Sequence, residues 1–262
     1  MNAIEMIEKT EAFQNKLASE CIFCVTTDLD WASETAIGET FRFFREMDIP
    51  LTVFATHDSA VVKAAAGANE IMLGWHPNFM PGSSQGNSYA EIIAFLDNLY
   101  PHARGFRSHR YYDVNDILEL LYDYGIFWDS NVCTFMQNIP PFLHRSGMIR
   151  FPIFWEDGAH LLNQCDFNAK SYLERFLSPG LRVINIHPMH LMINSPDFKY
   201  MRNIKNSVSR EEWNAMDWET INKLKHNGEG IATFIADIIT AIKIRDIKCM
   251  YLDDLYEEII TE

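Results

Sequence analysis

Cys21-Ile22-Phe23-Cys24-Val25-Thr26-Thr27-Asp28-Leu29-Asp30-Trp31, followed by Ser33-Glu34-Thr35-Ala36-Ile37-Gly38-Glu39-Thr40-Phe41, is the stretch from which the fold can be read. Residues 21–27 form an apolar run rich in strand formers. Residues 33–47 place Ile37, Phe41 and Phe44 at helical spacing behind Ser33, a good N-cap. The unit is a strand that feeds an amphipathic helix, and it recurs outward along the chain. Residues 51–55 predict a strand before an Ala-rich helix starting at Ser59. Residues 71–75 predict another, before a helix over 89–99 that carries Ile92, Ile93, Phe95 and Leu96. A short extended piece at 105–107 precedes a helix over 115–124, and 126–128, 149–154 and 181–186 supply further strands. Strands alternating with helices imply parallel pairing through right-handed crossovers. About seven such units predict a closed or nearly closed barrel. The polar tract 195–209 reads as a long surface loop, and Asn227-Gly228-Glu229-Gly230 splits the two helices expected after it. No linker composition breaks the chain, so a single domain over 1–262, with a core of about 21–255, is expected.

Of 262 residues, 48% are hydrophobic and 22% charged, enough for one large core. Lys+Arg numbers 22 against 36 Asp+Glu, a formal charge of −14, which disfavours nucleic-acid or anionic-lipid partners. No apolar run reaches the roughly 18 residues of a membrane span. Residues 1–20 carry Glu5, Glu8 and Glu11 and lack a basic-then-apolar signal layout, so a cytoplasmic protein is expected. The spacing Cys21-x-x-Cys24 falls inside a strand pattern rather than at a helix start, and these two of the five Cys read as small core residues.

In such barrels chemistry sits where strands end and loops begin. The first strand ends on Asp28 and Asp30, whose i, i+2 spacing puts two carboxylates on one side and calls for a cation between them. A helix cap accounts for one of the pair and not for both. Later strand ends supply His76, Arg107 with His109, Asp129, Glu156 with Asp157, and His187 with His190. Trp31, Trp75, Trp128 and Trp155 lie beside these motifs, either as a sugar-stacking wall or as core.

This order of motifs resembles the polysaccharide deacetylases of the NodB-homology group (carbohydrate esterase family 4), in the branch associated with O-antigen and surface-polysaccharide biosynthesis. The strings that carry it are Thr26-Thr27-Asp28-Leu29-Asp30, His76-Pro77-Asn78-Phe79, Trp128-Asp129-Ser130-Asn131, Phe154-Trp155-Glu156-Asp157 and His187. The resemblance implies a distorted (β/α)7 barrel and metal-dependent hydrolysis of an N-acetyl group on a sugar, releasing acetate. It implies Asp28 as general base, Arg107 as the partner of that base, Asp129 as a further acidic residue and His187 as general acid. Asp30 and His76 would hold a divalent ion, with Zn the first expectation. Where the family has a second histidine four residues after the first, this chain has Met80, a poor ligand for a hard ion. His109 is therefore the first candidate for third ligand, ahead of Asn78, Gln85, His160 and His190. The expected partner is an N-acetylated carbohydrate, in particular an intracellular nucleotide-linked or lipid-linked precursor. Two other functions stay open: hydrolysis of a different non-peptide amide on the same barrel, and a silent sugar-binding protein.

Overall fold

The structure is a computed structural model that describes residues 2–261. Its centre is one sheet of ten strands: β1 (Cys21–Asp28), β2 (Leu51–Ala55), β3 (Met72–Trp75), β4 (Gly105–Phe106), β5 (Trp128–Asp129), β6 (Phe142–Leu143), β7 (Ile149–Arg150), β8 (Ile153–Glu156), β9 (Gly180–Ile186) and β10 (Lys248–Cys249). The order is β6-β7-β5-β4-β3-β2-β1-β9-β8, with β10 added beside the start of β1. All pairings are parallel except β6 with β7. The chain over 149–156 pairs with β5 through its first half and with β9 through its second, and a bridge between Cys133 and Ile153 joins the two sides. Counting 149–156 once, seven strand positions make the circuit, the distorted (β/α)7 barrel expected from the sequence.

Alternation along the strands sorts the side chains into two cores. Ile22, Cys24, Phe54, Trp128, Phe151, Ile153, Leu181 and Val183 share one buried cluster inside the circuit. Phe13 and Leu17 of the first helix (Ala3–Lys16), with Leu252, Leu255, Tyr256 and Ile259 of the last (Leu252–Thr261), close its lower end. Phe23, Val25, Val53, Ile184 and Ile186 face the opposite way, towards the surrounding helices. Cys24 is therefore a buried thiol of the inner core and Cys21 a half-buried one, and both are free. Trp75, Trp128 and Trp155 are buried as well, so three of the four tryptophans beside the motifs belong to the core rather than to a sugar-facing wall.

Further along β1 the inward positions turn polar. After Ile22 and Cys24 come Thr26 and Asp28, and on β9 Leu181 and Val183 give way to Asn185. The barrel thus has an apolar floor and a polar upper end. That upper end is covered on one side by the helix Phe198–Ser207, which lies where a loop was expected. Phe198, Met201 and Ile204 recur every three residues behind the Asp197 cap, and this apolar stripe overrides the polar composition of the tract.

Candidate active site

A cavity of about 280 Å³ opens at the upper end of the barrel, and Asp28, Asp30, His76, His109, Glu156 and His187 all line it. Asp28 is held hardest. Its Oδ1 accepts from Arg107 Nη1 at 2.9 Å and its Oδ2 from Asn185 Nδ2 at 2.8 Å. Arg107 is fully buried over the Phe54 ring and spends its remaining donors on Thr26 Oγ1, Asn185 Oδ1, Ser130 O and Ser130 Oγ. All three guanidinium nitrogens are hydrogen-bonded in a fully buried group, which fixes Arg107 and with it the carboxylate beside it.

Asp30 lies one turn beyond the strand rather than on it, because Asp30 and Trp31 adopt left-handed backbone angles, φ 44° and 57°. The two carboxylates face one cavity through that turn and not through strand alternation. Asp30 Oδ1 is 2.9 Å from His109 Nδ1 and 3.2 Å from His76 Nε2, and its Oδ2 is 3.7 Å from His187 Nε2. Burial alone raises this carboxyl, but hydrogen bonds from His109 and His76 and the charge of His187 outweigh it and hold Asp30 well below the usual carboxylate range. His109 is likewise beyond its strand, in a 3-10 turn. It stands beside His76 because the parallel ladder of β3 and β4 continues past both ends: Arg107 N donates to Trp75 O, then His109 N to Pro77 O at 2.9 Å.

The residues expected to meet mostly do, and one does not. Asp129 is fully buried, with Arg150 Nε and Nη2 on its two oxygens at 2.7 and 3.1 Å and Asn131 N on Oδ1, so its carboxylate is turned away from the cavity. Placing it with the catalytic group is corrected on that ground: the strand position is right, but the side chain serves an internal ion pair. Asn78 and Gln85 brace the His76 loop, Gln85 Nε2 donating to Thr56 O and His76 O while its Oε1 accepts from Asn78 N. His160 is buried among Trp155, Phe167, Tyr172 and Phe234, bound to Trp155 Nε1 and Asp166 O. His190 lines the cavity, where burial drives its pKa down to about 4 and Ser195 Oγ meets Nδ1.

Sequence reasoning left Asp157 unassigned and passed over Asn185 and Tyr111. Asp157 is fully buried; its Oδ1 meets His187 Nδ1 at 2.6 Å and its Oδ2 accepts from His187 N at 2.6 Å. Burial disfavours both charges, yet the pair overrides it: Asp157 falls below its ordinary value and His187 rises well above it. The signal for Asn185 was available, since it stands two residues before His187 and shares the inward face of β9 with Val183. Tyr111 donates to Glu156 Oε2 at 2.7 Å, and burial raises the Glu156 carboxyl.

Asp30, His76 and His109 bring ligand atoms within 4.8 Å of one another, as do Glu156, Asp157 and His187. The first set suits a divalent transition metal, being one carboxylate and two imidazoles. In addition, His76 Nδ1 is buried without a hydrogen bond, 3.9 Å from Asp28 Oδ1. The second set is already committed to the His187–Asp157 pair.

A sequence profile of the WbmS-like polysaccharide deacetylase family matches residues 25–205, well over half of the chain. No curated protein matches significantly. Among solved structures, the chain is similar to a Bordetella bronchiseptica protein provisionally described as a polysaccharide deacetylase involved in O-antigen biosynthesis. That match has 23% identity and a TM-score of 0.73 over 83% of this chain and 89% of that one. Weaker likenesses are to a Mycobacterium smegmatis protein provisionally described as a polysaccharide deacetylase (13% identity, TM-score 0.48, 88% and 93% covered) and a Streptococcus mutans CE4 esterase (12%, 0.48, 92% and 90%). With the profile spanning β1 to the helix over the cavity, the chain belongs to the WbmS-like polysaccharide deacetylase family and to its enzyme class, the sugar deacetylases.

Proposed function

We propose that this chain hydrolyses an N-acetyl group on a sugar with Asp28 as general base, His187 as general acid, and a divalent ion on Asp30, His76 and His109. One observation carries the reading. A carboxylate locked by Arg107 and an imidazole locked by Asp157 face the same cavity, the first 3.9 Å from His76 and the second 3.7 Å from Asp30.

When bound, the ion would supply Lewis acidity, polarising the amide carbonyl and making a nearby water more acidic. Zn fits the donor set. Asp28 takes the proton from the attacking water, and its two hydrogen bonds fix which lone pair faces that water. His187 delivers the proton that lets the amine depart as the C–N bond breaks. The Asp157 carboxylate keeps that imidazole charged and oriented, while burial keeps the neighbouring His190 neutral. An anionic base and a cationic acid in one cavity is the separation of proton affinities that amide hydrolysis needs.

The test is acetate release from N-acetylated sugars. Asp28→Asn should preserve the fold and bound metal while turnover drops by about 10²-fold or more, since the amide cannot accept a proton. Near wild-type activity in that variant would remove Asp28 from the role. Metal content near zero together with tight sugar binding would instead favour a silent carbohydrate-binding protein.

A further inference from the structure

The lining of the same cavity carries two exposed cations that the deacetylation chemistry does not use. Arg110 and Lys205 both line it, from the 3-10 turn after β4 and from the helix Phe198–Ser207. Both are exposed, and neither shares a hydrogen bond or ion pair with a carboxylate among the described residues. Acidic partners are plentiful in a chain with 36 Asp+Glu, and other exposed cations have found them: Arg42 with Glu39, Arg45 with Glu70, Lys63 with Asp58, Lys223 with Glu219. Some surface cations elsewhere are unpaired too. These two differ in sharing a concave site with the reacting groups.

Arg110 is also held there against its backbone preference. It has φ 57° and ψ 27°, and Tyr111 follows with φ 54°, two consecutive left-handed residues without a glycine. That turn sends Tyr111 to Glu156 and Arg110 to the cavity. Lys205, also on the lining, has its Nζ 5.3 Å from the centre of the Trp213 ring, a contact that does not neutralise it. The cavity's carboxylates are engaged elsewhere: Asp28 by Arg107, Asp30 by the histidines, Glu156 by Tyr111.

We infer that the substrate is an anionic N-acetyl sugar whose oxyanion, the carboxylate of a uronic acid or the phosphate of a phosphate-linked sugar, is taken by Arg110 and Lys205. The inference rests on the deacetylase reading for which group reacts, but the anion site stands as a binding site apart from it. A cavity of about 280 Å³ holds roughly one sugar unit, so a charge on or next to the reacting unit is within its reach.

The test is calorimetric binding to the full chain, in wild type and in Asp28→Asn so that turnover does not mask it. The probes are N-acetylglucosamine, N-acetylglucosaminuronic acid and N-acetylglucosamine 1-phosphate. At least one anionic probe should bind about tenfold or more tightly than the neutral sugar. The preference should vanish in Arg110→Gln and in Lys205→Gln, survive in part in Arg110→Lys, and be unchanged in Lys225→Gln, a surface cation outside the cavity. A preference for the carboxylate probe alone identifies an acidic sugar, and for the phosphate probe alone a phosphate-linked one. Equal binding of all three probes, or a preference that persists in both Gln variants, overturns the inference. Anionic binding without acetate release from any probe leaves the anion site intact and sinks the deacetylase reading. Acetate release from the neutral sugar without an anionic preference does the reverse.

Discussion

His187 is the residue whose surroundings say most about the reaction. Burial opposes the charged form of its imidazole, but Asp157 on Nδ1 and the nearby Asp30 and Asp28 carboxylates hold its pKa well above the usual histidine range, which suits it to donate a proton rather than accept one. His187→Ala should therefore slow hydrolysis of an N-acetyl amide by about 10²–10⁴-fold, while an activated aryl acetate, whose leaving group needs no proton, loses far less. Equal losses on both substrates in a steady-state assay would make His187 a binding residue. His109 bears on the ion. His109→Ala should weaken Zn affinity more than about 100-fold in a chelator competition, beyond the roughly 10–100-fold cost of losing an orienting neighbour. Met80→His should leave affinity at the wild-type level, because Met80 does not line the cavity. Gain of affinity in Met80→His with none lost in His109→Ala would sink the ligand assignment. His109 was legible as the leading candidate through its spacing from Arg107, but not for the right local reason. It reaches the cluster from a 3-10 turn tied to Pro77, not from a strand face.

The elements nearest the site are short, and their precision comes from packing rather than length. β4 has two residues, and Gly105 is one of them because the Trp128 indole occupies the place of a side chain: a Cβ there would come within 2.2 Å of the ring. The ring is held in place, since Nε1 donates to Asp253 at 2.6 Å and it packs in T-shaped contacts with Phe54 and Phe151. Gly105→Ala should cost about 1–3 kcal/mol in urea unfolding, with activity falling because Arg107 and His109 hang from this strand. Gly67→Ala, at a helix end with nothing within 4 Å, should be neutral or slightly stabilising. A Gly105→Ala chain as stable as wild type would mean the inner core is looser than its contacts indicate. The helix Phe198–Ser207 was missed for an opposite reason. Lys199, Arg202, Asn203, Lys205 and Asn206 dominate its composition, and three apolar residues on one face were enough to dock it.

Across the whole molecule, the pair that His187 makes with the buried Asp157 links stability to pH, in the metal-free protein where ion binding does not intervene. Asp157 has a depressed folded pKa, so its contribution is present above its ordinary value of about 4 and lost as pH falls through the lower folded value. His187 has a raised one, so its contribution is full below about 6.5 and lost as pH rises through the higher folded value. The stability difference between wild type and Asp157→Asn should thus be largest between about pH 4 and 6.5 and shrink on either side. A difference that stays flat across pH 3 to 9 would show that the pair is not ionised in the fold. No helix of the described residues is long and apolar enough to cross a membrane. What the sequence by itself determined is the periodic content: the alternation of strand and helix, the seven positions around the circuit, and the strand ends at or just after which Asp28, His76, Arg107 and His187 stand, whereas Asp30 reaches the cavity through a turn beyond β1. Those follow from local patterning, which repeats along the chain. Only the tertiary structure decided that Asp129 turns to Arg150, that Asp157 backs His187, that three tryptophans are core, and that Arg110 and Lys205 share a cavity. Partners separated by tens of residues are chosen by which side chain can satisfy a buried charge, and spacing along the chain holds no record of that choice.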